Sequence, residues 1–190
     1  MKATILNNFG EPNQLLYSDF PEPQIDSDEV LIKTLSCGVN HLDIDIRAGN
    51  LGPIKFPHIL GSELCGVIVQ SGREVDSSLE NKRVIVLPWL FCGKCKNCEK
   101  GKTEICREIR ILGWQTNGGY AEYVSVPARN VIAISNKISN EAAGAISVAM
   151  LTAWHMLVTT AKIMHAETIL VHAAGSGIGK SSFCRDLATN

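Results

Sequence analysis

Cys92-Gly93-Lys94-Cys95-Lys96-Asn97-Cys98, followed by Cys106, spells C-x2-C-x2-C-x7-C. Two-residue gaps let tight turns aim successive thiolates at one point, and four thiolates close a tetrahedral shell around zinc. A closed shell leaves no open coordination position, so the zinc expected on Cys92, Cys95, Cys98 and Cys106 is structural. The stretch from Gly93 to Lys102 is polar and buries little surface, so the order of this lobe, residues 89–110, has to come from the metal. Structural zinc supplies on the order of 10–16 kcal/mol of apparent binding energy in small peptides, enough for a short lobe. An iron–sulfur cluster is the competing occupant of such runs, but the C-x3-C-P step of the corresponding ferredoxins is missing. Cys37, Cys65 and Cys184 lack this spacing and read as small buried side chains.

On either side of the lobe, residues 1–135 read as mainly β. Val30–Leu35, Cys65–Val69, Arg83–Leu87 and Ala121–Val126 are short β-branched runs separated by Gly, Pro, Asn and Asp. Several alternate apolar with polar, as half-buried strands do. Five of the seven prolines precede residue 60 and limit long helices there. The character changes near Ser135. Ser139 is placed to cap a helix with Glu141 in its first turn, and Ala- and Leu-rich sequence runs on to about Lys162, as two consecutive helices. The stretch Ala142–Ala161 has no charged residue and is long enough to span a bilayer. Its Ala, Ser and Thr content, Gly144, His155 and the lack of aromatic belts favour a buried helical region instead. A strand is expected at Thr168–His172, then the Gly turn Ala173–Gly179 and a helix from Lys180. That order begins a parallel nucleotide-binding unit.

The 190 residues suit one domain plus the start of another, with 45% apolar and 19% charged residues providing for a sizeable core. A net charge of −1 offers no electrostatic pull toward nucleic acid or an anionic membrane. Seven cysteines, four of them within 15 positions, suit a reducing compartment better than a disulfide framework. The N-terminus turns polar too early for a signal peptide, so a cytoplasmic location is expected.

Taken in order, the Gly61-Ser62-Glu63 turn, the cysteine lobe, Gly118-Gly119-Tyr120-Ala121-Glu122-Tyr123, Leu151-Thr152-Ala153-Trp154 and the final Gly turn resemble the medium-chain dehydrogenase/reductase superfamily, which includes zinc alcohol dehydrogenases and quinone reductases. Cys37–Asp43 and Phe56–Glu63 look closest to zinc-binding alcohol dehydrogenases or quinone-reductase-like proteins. The resemblance covers essentially the whole chain. It implies a GroES-like substrate domain with a zinc lobe over 1–135, then inter-domain helices and an incomplete Rossmann domain over 136–190. It also implies an NAD(P)H cofactor and a small-molecule substrate.

The same resemblance exposes departures. Members with a catalytic zinc take a Cys from Gly-x-Cys-x-x-Asp and a His from Gly-His-Glu. Here Asn40 stands at the Cys position, Ser62 at the His position, and Val148 near the remaining Cys. Glu63 alone is retained, short of the N and S ligands zinc prefers. Cys37, His41, His58 and Glu63 are a rearranged alternative that spacing disfavours. Zinc-free relatives sharing Gly-Val-Asn reduce quinones or enones. The resemblance therefore implies Asn40 as a polar contact to nicotinamide or substrate, Asp43 as the residue orienting its loop, and Thr152 packed on the nicotinamide side. A satisfied loop hydrogen bond is the plainer expectation for His41.

Gly175, Gly177 and Gly179 fit a dinucleotide turn whose backbone N–H groups hold a pyrophosphate. The run to Lys180-Ser181 also reads as a loosened P-loop, which the upstream zinc-lobed β domain disfavours. A plain tight turn is the third reading. Residue 190 arrives before the acidic or basic residue that separates NAD from NADP, about 20 positions past such a turn. The expectation is a truncated nucleotide-binding domain with weak cofactor binding and an unpaired parallel strand prone to self-association into a homo-oligomer. A zinc alcohol dehydrogenase with unusual ligands and a non-catalytic zinc-stabilised module are the alternatives to a quinone or enone reductase.

Overall fold

The computed structural model describes residues 1–182. Ten strands form three antiparallel sheets. Strands β1 (Lys2–Leu6), β2 (Leu15–Asp19) and β4 (His58–Ile59) make a small sheet in the order β2-β1-β4. Strands β3 (Glu29–Gly38), β5 (Glu63–Ser71), β6 (Arg83–Val86), β9 (Tyr123–Pro127) and β10 (Val131–Ala133) make the main sheet, ordered β10-β6-β5-β3-β9. The pair β7 (Trp89–Leu90) and β8 (Arg110–Ile111) closes the stem of the cysteine lobe, with Trp89 opposite Ile111. All four strands expected from β-branched runs are present, and the β-rich half is as anticipated.

The main sheet is covered on both faces, so its central strand does not alternate. One face holds Val30, Ile32, Leu64, Ile68, Val84, Val86 and Val124. On the other, Cys65 and Ile85 pack against Ala143 and Ile146 from the C-terminal segment. That two-sided burial explains why Glu63–Gly66 is buried without interruption. Removing apolar surface from water at roughly 25 cal/mol per Å² is what pins the 140s onto the sheet.

A helix absent from the expectation, α1 (His41–Ala48), lies between β3 and β4. Its start is set by the N–H of Asn40, which donates to Asp43 Oδ2 at 2.8 Å. Its end is set by Gly49, whose φ of 83° is the left-handed conformation glycine accepts without strain. Leu42 and Ile46 face inward, packing with Leu6 and Leu60.

The C-terminal region departs further from expectation. After the cysteine lobe's short helix α2 (Lys96–Glu99), Ser139 does cap a helical turn, α3 (Asn140–Ala143), its Oγ accepting the N–H of Ala142 at 3.2 Å. Beyond it the chain runs as two π-helical stretches, Ile146–Met150 and His155–Thr160, flanking the α-turn α4 (Leu151–Trp154). This region is only one-sidedly buried: Ser147, Ala149 and Ala153 face in, whereas Met150, Leu151, Trp154 and Met156 are exposed. Among the described residues no helix is long and apolar enough to cross a membrane. The strand expected at Thr168–His172 does not form, and Ile169 and Leu170 are exposed. A parallel strand needs a neighbour to complete its ladder, and none of the described strands lies beside this one. The last helix, α5 (Gly177–Ser182), starts three residues earlier than expected. Cys184 lies outside the described residues.

Candidate metal centre and cleft

The four thiols of the lobe converge. Sγ of Cys92 lies 3.5 Å from Cys106 and 4.0 Å from Cys98, and Sγ of Cys95 lies 3.5 Å from Cys98 and 4.0 Å from Cys106. A tetrahedron with zinc–sulfur bonds of about 2.3 Å has sulfur–sulfur edges of about 3.8 Å, so the cluster already has the dimensions of a ZnS4 shell. Backbone N–H groups of Cys92 and Glu108 point at Cys106 Sγ, each at 3.4 Å. Burial and the Cys95 thiol push Cys98 up to about 12, whereas N–H groups of Arg107 and Cys98 lower the Cys95 thiol to about 6. Such donors favour thiolate, the form that binds metal. The turn between the first two ligands is made by Gly93, with φ of 75°. Arg129 ties the lobe to the body, donating from Nε to the Phe91 carbonyl at 3.0 Å and pairing with Asp28 at 2.7 Å. Among the described residues these cysteines are the one group of His, Cys, Asp or Glu ligand atoms gathered closely enough to hold a metal.

A second polar centre forms where β3, β5 and α1 meet. Asn40 Nδ2 donates to Glu63 Oε2 at 3.0 Å. Glu63 Oε1 accepts the backbone N–H of Val148 at 2.6 Å and of Ala149 at 3.2 Å. A carboxylate 2% exposed is costly unless bonded, and here both oxygens are engaged. Asp43, also buried, accepts from Asn40 N–H, Gly61 N–H and Tyr120 Oη, the last at 2.9 Å. It thereby orients the turn carrying Asn40. Burial, then the Asp43 charge, pushes the Tyr120 hydroxyl above its ordinary range. Burial and Asp43 likewise push the Cys37 thiol up to about 12. Gly61 has φ of 99°, and a Cβ there would lie 2.6 Å from the Tyr120 ring, so this junction admits only glycine.

The candidate site residues are therefore sorted by their surroundings. Asn40, Asp43 and Glu63 are brought together, and Val148 joins them through its backbone. Ser62 is 1% exposed and its hydroxyl has no protein partner, so it is sealed from solvent. The rearranged ligand set is not assembled. His41 is exposed, 4.0 Å from Asp45, and His58 is buried with Nε2 on the Gly113 carbonyl at 3.0 Å. Thr152 is half-buried on α4. Gly177 and Gly179 open α5, and Gly175 lies in the preceding turn with open space beside it. Ser181 Oγ donates to the Gly177 carbonyl at 2.9 Å, which ties up the hydroxyl a P-loop would present to magnesium. Tyr120 and Gly61 stand in motifs legible in the sequence, but nothing there assigned either a role at this site. Tyr120 lies 77 positions from the carboxylate it serves, beyond any local pattern.

An antiparallel β domain with a four-cysteine lobe, leading through a helical link into a glycine turn, is the arrangement of a GroES-like domain. Residues 26–136 match the alcohol dehydrogenase GroES-like domain, and the chain belongs to that family. An NAD-dependent alcohol dehydrogenase of Sulfolobus acidocaldarius is 30% identical over 185 residues, covering 94% of this chain and 53% of the relative. A cobalt- and zinc-bound thermostable alcohol dehydrogenase from Pyrobaculum aerophilum superposes with a TM-score of 0.87 at 34% identity, covering 96% of this chain and 54% of that one. A short chain alcohol dehydrogenase from E. coli complexed with NADH gives 0.81 at 30% identity, over 96% and 51% of the two chains. The chain spans about half the length of these relatives.

Proposed function

We propose that this chain is the substrate-side portion of a zinc-binding, nicotinamide-dependent oxidoreductase that reduces quinones or activated C=C and C=O bonds without a catalytic zinc. The observation that carries the reading is the environment of Glu63. The positions that hold catalytic-zinc ligands in the family are Asn40, Ser62 and Val148, and Glu63 itself has both oxygens committed to protein donors. A divalent ion would have to displace those bonds and would find no imidazole in return, only the half-buried Cys37 thiol, which burial pushes up to about 12.

Conjugated carbonyls need less electrophilic help than alcohols need to lose hydride, because the negative charge delocalises onto an oxygen that a hydrogen bond can hold. Asn40 suits that role. One of its Nδ2 hydrogens is fixed on Glu63, which leaves the other free for the oxygen of a bound substrate. Asp43 keeps the Asn40 turn in place. Reduced nicotinamide, when bound, supplies the hydride. The Gly175–Gly179 turn and α5 are the residues that would hold its pyrophosphate, and Thr152 its nicotinamide side. The zinc on Cys92, Cys95, Cys98 and Cys106 would be structural. The zinc- and NADH-bound relatives support both groups.

The names of the relatives favour a second reading, alcohol oxidation at a catalytic zinc. Native mass spectrometry of freshly purified protein separates the two: one zinc per chain supports the reductase, whereas two would overturn the metal-free cleft. Titration with NADH and NADPH tests the third alternative, a non-catalytic module, which predicts no binding of either.

A further inference from the structure

We infer that a hollow between residues 53–58 and the turn 114–117 is a binding site for a flat conjugated ring bearing an anionic oxygen, such as an aromatic carboxylate. The hollow has a volume of about 510 Å³, within the range of small-molecule sites. Phe20, Phe56 and Trp114, all half-buried, form its walls. Phe56 is itself braced edge-to-face on Phe9 with ring centroids 4.9 Å apart, so an aromatic wall is in place before any ligand arrives.

The polar lining is what selects the ligand. Gln115 Oε1 accepts the N–H of Ile111 at 2.7 Å, and Asn117 Oδ1 accepts the N–H of Ile59 at 3.1 Å. Those bonds fix which end of each amide is spent. Both NH2 groups are left without a partner among the described residues, as is the Lys55 ammonium, and all three residues line the hollow. Three donors, one of them charged, against aromatic walls match a planar ligand rich in acceptor oxygen. None of Asn40, Asp43, Ser62 or Glu63 lines this hollow, so the inference stands apart from the reaction proposed above.

Titration of the 190-residue chain with 2-naphthoate, followed by calorimetry and by the side-chain NH2 signals in a 15N–1H spectrum, tests it. The expected result is saturable one-to-one binding with Kd below about 1 mM, with the Asn117 NH2 signal shifting. Lys55→Gln and Gln115→Glu should each weaken binding at least about tenfold. Gln115→Glu keeps an oxygen for the Ile111 N–H, so its thermal midpoint should hold. Failure to saturate by about 10 mM, an unmoved Asn117 signal, or unchanged affinity in either variant would overturn the assignment.

Discussion

Glu63 accepts the side-chain amide of Asn40 with one oxygen and the backbone of Val148 with the other. One buried carboxylate thus joins three segments that are 23 and 85 positions apart in sequence. It holds the Asn40 amide in place and fastens the helical link onto β5.

That linkage makes Glu63 a stability determinant as well as a positioning residue. Glu63→Ala leaves buried N–H groups of Val148 and Ala149 without an acceptor, at roughly 1–3 kcal/mol for each orphaned group. The expected outcome in urea unfolding is a loss of about 3 kcal/mol. A loss under about 0.5 kcal/mol, the usual size for a surface change, would mean the carboxylate is dispensable.

The cysteine lobe should depend on its metal, and the rest of the domain should not. Cys98→Ser is expected to abolish zinc in native mass spectra and to expose the 92–106 segment to proteolysis, because little apolar surface holds it otherwise. The antiparallel CD signal should persist, since the main sheet carries its own core. Cys65→Ser, in the sheet core, should keep the zinc. Retention of zinc by Cys98→Ser would show that three thiolates suffice.

Stability should fall at both ends of the pH range for identifiable reasons. Burial holds the His58 imidazole below its ordinary value of 6.5. Below that value the unfolded chain binds the extra proton first, so stability is lost as pH falls through 6.5 and under it. Cys37 is raised from 9.0 to about 12, and Tyr120 is raised from 10.0. Their contribution is complete below pH 9 and is lost as pH climbs from there toward 12, where the unfolded chain ionises first. Denaturant melts across pH should show both limbs, and Cys37→Ala should flatten the alkaline one. An unchanged alkaline slope would place its cause elsewhere.

The helix His41–Ala48 shows how a readable signal was passed over. Asn40 before it, Asp43 in its first turn, the inward pair Leu42 and Ile46, and Gly49 after it are ordinary start, face and stop cues. The proline-rich surroundings hid them. Thr168–His172 failed in the other direction. Its apolar composition has the form of a buried strand, yet a strand is completed by its neighbours and not by its own residues. The run Ala142–Ala161 reads as an uncharged, buried helical region, but only the face bearing Ser147, Ala149 and Ala153 found a surface to cover.

By itself the sequence determined the zinc lobe and the β-rich half. Both depend on short-range geometry: gaps of two residues between thiols, and alternation along strands a few residues long. Only the tertiary structure decided the polar centre around Glu63 and Asp43. It sealed Ser62, removed His41 and His58 from any shared site, and brought Asn40, Asp43, Glu63, Tyr120 and Val148 together. Apart from the local Asn40–Asp43 bond, those contacts cross 23 to 85 positions. They exist because buried carboxylates must find donors wherever the packed sheet happens to place them.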